Sequence, residues 1–522
     1  MIREISRRKC LRSWLCKPEY MERTKWENRF VLLRFRKKNY MMFLKDLKRF
    51  KMERLYDKLK AYSESDFYAF HMPGHKRNKA LLGIELPYDL DITEIDGFDD
   101  LHHADGILKE EQERAARVFG AEESHFLVNG STAGILSAVM GCTHRGDKIL
   151  VARHCHKSIY HAIYMNGLVP RYVYPEFDIS MHMNGEISKE DVAKALAAEP
   201  DIKAVVIVSP NYDGVVSYVK GIAEVAHSYR IPLIVDEAHG PHFGFHPAFP
   251  GRANDLGADV VINSLHKTLP SLTQTAILHI NGKIVNRRRI KKYLDMLQSS
   301  SPSYIFMASL DACVDFVDGK CENAFELYVE RLQKFREELE PLQHLQILRT
   351  EHYDISKVVI STANANITSP ELAERLRKEY HLEMEMTGGT YVLAMTTVAD
   401  TQEGLDRLKA ALLEIDGQLE AKTAVSGSIE ISGELPRLEQ YFTPQEAADR
   451  EEDGEAEEIP WKESEGHISL EYAYLYPPGS PVIVPGERIS REAVELLCYY
   501  ETQNLQIEGI QTEGKIKVWK HE

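Results

Sequence analysis

The sequence predicts an α/β protein: a mostly parallel sheet covered by helices, followed by a smaller α+β unit. Three observations point there. Between about residues 120 and 280, short apolar runs alternate with segments of helical periodicity. The runs are β-branched and lack polar alternation, as in Ala204–Val208 and Val260–Ile262, which marks strands buried on both faces. After Leu345 the strands shorten and helices separate them singly, which reads as a second, smaller unit.

The elements follow in order. Strands are expected at Ser124–Val128, Lys148–Ala152, Arg171–Tyr174, Ala204–Val208, Leu233–Val235, Val260–Ile262 and Ala276–Ile280. Between them lie helical segments at Ser131–Met140, Ser158–Asn166, Ser188–Ala198 and Ile222–Ser228. The chain then turns helical at Arg287–Leu297, Ile305–Asp318 and Cys321–Glu340. The smaller unit has strands at Leu345–Leu348, Lys357–Ser361 and Tyr391–Thr396, with helices at Pro370–Tyr380 and Thr401–Leu419. The acidic run Glu451–Glu458 reads as a solvated loop, and the turn-rich tail from Tyr472 closes with a helix and two short strands. No internal repeat is present.

With 522 residues the chain has room for two or three domains. No apolar run reaches the roughly 18 residues of a membrane span, so no membrane partner is expected. Seven widely spaced cysteines without a CxxC pair argue against a disulfide scaffold or a cysteine zinc site, and favour the cytoplasm. The net charge of −16 is unevenly spread. Residues 1–51 hold 17 Lys and Arg against 5 Asp and Glu, a surplus of 12 that leaves −28 on the rest. That arm carries no recognisable nucleic-acid module, and the acidic body would repel a phosphate backbone. It is read as lying outside the fold, upstream of a true start at Met52, where an amphipathic first helix begins.

Chemistry concentrates at three strand ends. The segment NGSTAG, Asn129–Gly134, joins a strand to a helix start. Gly130 permits close backbone approach, Ser131 and Thr132 offer hydroxyls, and the helix N-terminus offers free N–H groups, together a phosphate cradle. An ordinary Ser/Thr helix cap would look the same in isolation. Asp236 ends the next relevant strand, where a carboxylate can hold a protonated ring nitrogen, or simply cap a loop. Lys267 follows 31 positions later, between two apolar runs. A lysine deprived of water there has a lowered pKa and a nucleophilic amine, unless it snorkels to the surface. Cradle, carboxylate and lysine in this order on a parallel sheet form the layout of a pyridoxal-phosphate enzyme.

At these residues the chain resembles the ornithine/lysine/arginine decarboxylase family, bacterial enzymes with the aspartate-aminotransferase-like, PLP-dependent transferase fold. The resemblance spans about residues 52–522. It rests on HMPGHKR (71–77), NGSTAG, HCHKSIYHA (154–162), VDEAHGPHFG (235–244), NSLHKTLPSLTQTA (263–276), SSPSYIFMASLDA (300–312) and YPPGSPVIVPGE (476–487). The SxHK core followed by Gln274 is the most specific part. The resemblance implies decarboxylation of arginine, lysine or ornithine to agmatine, cadaverine or putrescine, with arginine or lysine preferred. By the same resemblance Lys267 bonds the cofactor, pyridoxal 5′-phosphate, and Asp236 pairs with its ring nitrogen. His156 would stack on the ring, while Gly130, Ser131, Thr132, Ser264 and His266 hold the phosphate. His239 would lie beside the cofactor. Ser303, within Ser301–Tyr304, would reach the site of a partner subunit in a homodimer or higher oligomer. The resemblance also divides the chain into the 1–51 arm, a large cofactor-binding domain at 52–340, a small α+β domain at 341–440 and a C-terminal region at 441–522. The short form of the family, without a response-regulator-like domain, is expected, serving amino-acid catabolism and polyamine biosynthesis.

Other readings compete. An aminotransferase shares the fold and cofactor but commonly grips the substrate carboxylate with an arginine, which the sequence does not place. A metal centre could use His239, His242 and His246, or His154, His156 and His161. The Gly240-Pro241 pair denies the first set a helical spacing, so no metal is expected. Substrate length selection falls to side chains such as Glu383, Glu385 or Asp213.

Overall fold

A seven-stranded sheet is the centre of the molecule, seen in a computed structural model that describes residues 54–81, 83–179, 183–422, 434–475, 479–502 and 505–520. Its strands are β1 (Glu123–Leu127), β2 (Lys148–Ala152), β3 (Val169–Val173), β4 (Val205–Val208), β5 (Leu233–Asp236), β6 (Val260–Asn263) and β7 (Ala276–Ile280). They lie in the order β1-β7-β6-β5-β4-β2-β3. Pairing from β3 through β6 is parallel, and only β7 runs antiparallel, to β6 on one side and β1 on the other. Parallel neighbours need a long crossover, whereas the twelve residues between β6 and β7 suffice only for a reversal. Lys267 sits in that reversal.

Among the described residues the first helix is α1 (Leu55–Ser63), which buries Leu55 and Leu59, and α2 (Ile107–Val118) precedes β1. The crossovers carry α3 (Gly130–Cys142), α4 (Lys157–Met165), α5 (Lys189–Ala198) and α6 (Val219–Ser228). Helix α3 lies close against the sheet because Gly134 lacks a side chain. A Cβ there would stand 2.6 Å from Leu127 Cδ1. The one-turn helix α7 (Leu265–Thr268) fills the reversal, and α8 (Arg287–Leu297), α9 (Tyr304–Val317) and α10 (Glu322–Glu338) follow.

The smaller sheet is antiparallel throughout. It orders β8 (Gln346–Leu348), β9 (Lys357–Ser361), β11 (Tyr391–Met395) and β10 (Met386–Thr387), covered by α11 (Ser369–Tyr380) and α12 (Gln402–Asp416). Beyond it, the acidic run expected as a loop is instead the end of helix Pro444–Glu452 and the start of strand Ala456–Pro460. That strand pairs with Lys515–Trp519, which brings cover for its charges. Lys517 Nζ meets Glu451 at 2.5 Å, and Trp519 Nε1–H donates to Glu455 at 2.9 Å. The expected closing helix and two strands are Arg491–Thr502, Ile507–Glu508 and Lys515–Trp519. The 1–51 arm falls outside the described residues.

Arg153, at the end of β2, ties the C-terminal region to the sheet. Its guanidinium is fully buried and donates to the carbonyls of Pro481 (2.5 Å) and Val482 (3.1 Å) and to Glu487 (3.0 Å). Ser480 Oγ–H donates to His154 O at 2.7 Å, beside His156. Arg153→Ala would leave the Glu487 carboxylate buried without its counter-charge. It is expected to cost about 3–5 kcal/mol in denaturant unfolding, against near-wild-type stability for a surface arginine such as Arg491.

Candidate active site

Short apolar strands that run in parallel deliver their last residues to one edge of the sheet, and loops begin there. Asp236 is the last residue of β5 and is buried. Among the described residues its carboxylate takes one hydrogen bond, from Ala238 N–H at 3.1 Å. Burial pushes its pKa up, and the nearby Lys267 pulls it back. An acidic group with unused acceptor capacity below a cleft suits a cationic ring N–H.

Lys267 lies on α7, whose Ser264 cap position follows directly from β6. Burial lowers the pKa of its amine, opposed by Asp236 and Glu385. Its Nζ stands 2.9 Å from His239 Nε2. The other ring nitrogen, Nδ1, stands 3.0 Å from Nζ of Lys357, the first residue of β9. Burial first, then the two lysines, hold the His239 pKa well below 6.5, so the imidazole is neutral. The ring of Tyr212 packs on it with centroids 4.6 Å apart, and the Tyr212 hydroxyl donates to Glu385.

His156 is the N-cap of α4, and its Nδ1 accepts from Ser158 N–H at 3.2 Å. Burial, then the charge of Lys267, bring its pKa down to about 4, leaving a neutral flat ring. The cradle forms as its sequence implies. Gly130 has φ of +72°, a conformation that favours glycine, and its N–H donates to Gln274 O at 3.0 Å. Gln274 returns a side-chain bond to Val128 O at 2.7 Å, so the two loops lock together. Asn129 makes no side-chain cap to α3, which leaves the next N–H groups of the first turn, those of Ser131 and Thr132, for an anion. Ser131 Oγ meets Ser264 Oγ at 2.5 Å, Thr132 is exposed on the same turn, and His266 Nδ1–H donates to Thr275 O at 2.8 Å. These groups fit pyridoxal phosphate: open N–H groups and hydroxyls for phosphate, a buried carboxylate for the ring nitrogen, and a lysine between.

Ser303 stands apart from this cluster. Within its own chain it caps α9, accepting from Phe306 N–H at 3.4 Å. The histidine triplet is divided among separate partners: His239 between lysines, His242 between Thr268 (2.9 Å) and Asp354 (3.1 Å), and His246 on Glu326 (3.1 Å). No metal-binding group of three side chains occurs among the described residues. Of the candidate selectors, Glu383 and Glu385 are both exposed, and Glu385 reaches the lysines electrostatically. Asp213 is buried, accepts from Tyr391 O–H at 2.6 Å, and has its pKa pushed up to about 6 by burial. It lines a cavity of about 140 Å³ with Tyr212, Tyr391, His154 and Tyr499. Sequence reasoning missed Lys357 and Tyr212. Lys357 begins an apolar run, KVVIS, and the argument that singled out Lys267 applies to it equally.

The profile described as "Orn/Lys/Arg decarboxylase, major domain" matches residues 53–421, and that of the "Orn/Lys/Arg decarboxylase, C-terminal domain" matches 433–514. An arginine decarboxylase of Bacillus subtilis is 33% identical over 471 residues, 87% of this chain and 95% of the relative. A lysine decarboxylase of Pseudomonas aeruginosa is 25% identical over 552 residues, 83% of this chain and 73% of the relative. Among solved structures, the Francisella novicida lysine decarboxylase superposes with a TM-score of 0.76 at 20% identity, covering 92% of this chain and 84% of that one. A ureidoglycine–glyoxylate aminotransferase of Bacillus subtilis superposes at 0.50 and 15% identity, over 60% of this chain and 85% of that one, which places the fold among PLP-dependent transferases. No helix among the described residues is long and apolar enough to cross a membrane. The chain belongs to the Orn/Lys/Arg decarboxylase family and is a pyridoxal-phosphate-dependent carboxy-lyase acting on a basic amino acid.

Proposed function

We propose that this protein decarboxylates arginine to agmatine, with Lys267 as the lysine that bonds the cofactor. The observation that carries the site is the water-poor Lys267 amine, poised on neutral His239 with Asp236 buried nearby. When bound, pyridoxal phosphate supplies an electron sink for the pair released as the substrate carboxylate leaves. Asp236 accepts the ring N–H and stabilises the positive charge that draws those electrons. His156 presents a neutral flat face to stack on the ring. The open N–H groups of α3, with Ser131, Thr132, Ser264 and His266, bind the phosphate and fix orientation. A proton delivered to the substrate α-carbon by Lys267 or a nearby histidine, once that group has taken one up, completes the amine.

Arginine is favoured over lysine by the greater identity to relatives named arginine decarboxylase. Glu385 supplies a carboxylate near both lysines, suited to a cationic side chain, and Asp213 adds a buried acceptor. Ser301–Tyr304, with the Ser303 cap, is assigned to the site of a partner subunit in a homodimer. Domain limits at 340 and 440 are supported by the break between the large sheet and β8, and by the strands beyond Glu439. A cytoplasmic role in polyamine synthesis accords with the free cysteines among the described residues.

Incubation with arginine, lysine or ornithine, without a keto acid, should release carbon dioxide and yield agmatine as the main amine. Cadaverine or putrescine in its place would transfer the assignment to another substrate. Lys267→Ala should lose both turnover and the near-visible absorbance of the lysine-bound cofactor. Near-normal decarboxylation by that variant would overturn the site. Glu385→Gln should raise KM for arginine by about tenfold, the loss of one charge-assisted hydrogen bond, with kcat little changed.

A further inference from the structure

Lys357 has no part in the roles assigned above, yet it is a fully buried lysine whose amine touches the site. His239 stands between Lys267 and Lys357, with one ring nitrogen at 2.9 Å from the first amine and the other at 3.0 Å from the second. A neutral imidazole offers one N–H and one lone pair. It can accept from one ammonium group only. The second amine must then be neutral, accepting the N–H in its turn. The geometry therefore admits a single ammonium along the Lys357–His239–Lys267 line when both hydrogen bonds are made.

The surroundings decide which lysine carries it. Lys357 faces Asp354, the carboxylate nearest in effect, and beyond it Glu385 and Asp213, with Lys267 opposing. Asp354 is itself fully buried and held ionised by His242 and Ser356. Lys267 faces Asp236 and Glu385, but Asp236 is the carboxylate that the cofactor's ring nitrogen takes up. His156 and His266, the other titratable groups near His239, have lowered pKa values and add no negative charge.

We propose that Lys357 is a positioning residue for the decarboxylase: its ammonium donates to His239 Nδ1, fixes the ring proton on Nε2, and aims that N–H at a neutral Lys267 amine. Burial brings Lys357 to about 8, so the ammonium persists at neutral pH. Its charge and the fixed tautomer both oppose protonation of Lys267. This rests on Lys267 being the cofactor lysine, and the test separates the two claims.

The rate at which full-length protein stripped of cofactor recombines with added pyridoxal phosphate depends on the neutral fraction of Lys267. It is followed by absorbance across pH in wild type, Lys357→Gln and Lys357→Arg. Wild type should show a midpoint well below the ~10.4 of an ordinary lysine. Lys357→Gln, which keeps a hydrogen-bond donor but no charge, should move the midpoint up by about one pH unit, a tenfold loss of rate on its lower limb. Lys357→Arg, which keeps the charge, should bring it back. A packing role alone would lower stability in both variants and leave the midpoint in place, which would overturn the proposal. So would a wild-type midpoint near that of an ordinary lysine. Should Lys357→Gln not fold, Lys357→Met takes its place: a midpoint raised by about one pH unit would support the proposal, and an unmoved one would refute it. Recombination absorbance that persists in Lys267→Ala would instead refute Lys267 as the cofactor lysine.

Discussion

A half-buried amine beside a neutral imidazole is the constraint on which the rest of this molecule depends. Burying a charged ammonium is costly, and the neutral form is the cheaper occupant of such a site. The chain creates the site by reversing direction between β6 and β7 within twelve residues, one turn of helix included. That turn sets Lys267 at the carboxyl edge of the sheet. The antiparallel β7 is the consequence, since so short a link cannot cross over. Asp236 arrives at the same edge because β5 is the parallel neighbour of β6.

Distant parts of the chain hold the edge in shape. Gly134 lets α3 approach the sheet, so the open N–H groups of its first turn face the same cleft. Gln274, itself at φ of +82°, binds Gly130 through its carbonyl and Val128 through its amide, which couples the phosphate cradle to the lysine loop. Arg153 does the equivalent for His156. By holding 481–487 it anchors the segment whose Ser480 and Gly479 bond His154 and Lys157 on either side of that ring. The C-terminal region thus contributes to the position of a side chain more than three hundred residues away in sequence.

The large sheet was legible because each strand is a continuous apolar run, and such runs leave little room for another period. Lys267, Asp236 and the NGSTAG cradle were legible because each closes such a run. The strand Ala456–Pro460 was not, because its stability lies in partners sixty residues on: Lys517 and Trp519 offset a charge run that reads locally as solvated. Lys357 escaped for the same reason. Its neighbour His239 lies 118 positions earlier in the sequence, and only the packing of the smaller sheet against the larger brings them together. The histidine triplet, already denied a helical ligand spacing by Gly240-Pro241, is taken apart by the fold. Spacing grouped residues that the fold assigns to a lysine pair, a buried aspartate and a glutamate at the surface.

Charge balance joins the substrate reading to the lysine chemistry. Glu385 acts on both Lys267 and Lys357, and in the proposed reading it is also the carboxylate offered to the side chain of the basic substrate. A guanidinium that pairs with Glu385 takes up negative charge that otherwise favours protonation of the two lysines. That lowers the proton affinity of Lys267, and Lys357 remains the better host for the single ammonium because Asp354 is buried beside it. Recognition of a cationic substrate and preparation of a neutral amine therefore draw on one set of carboxylates, Asp236, Glu385, Asp354 and Asp213, around the two lysines.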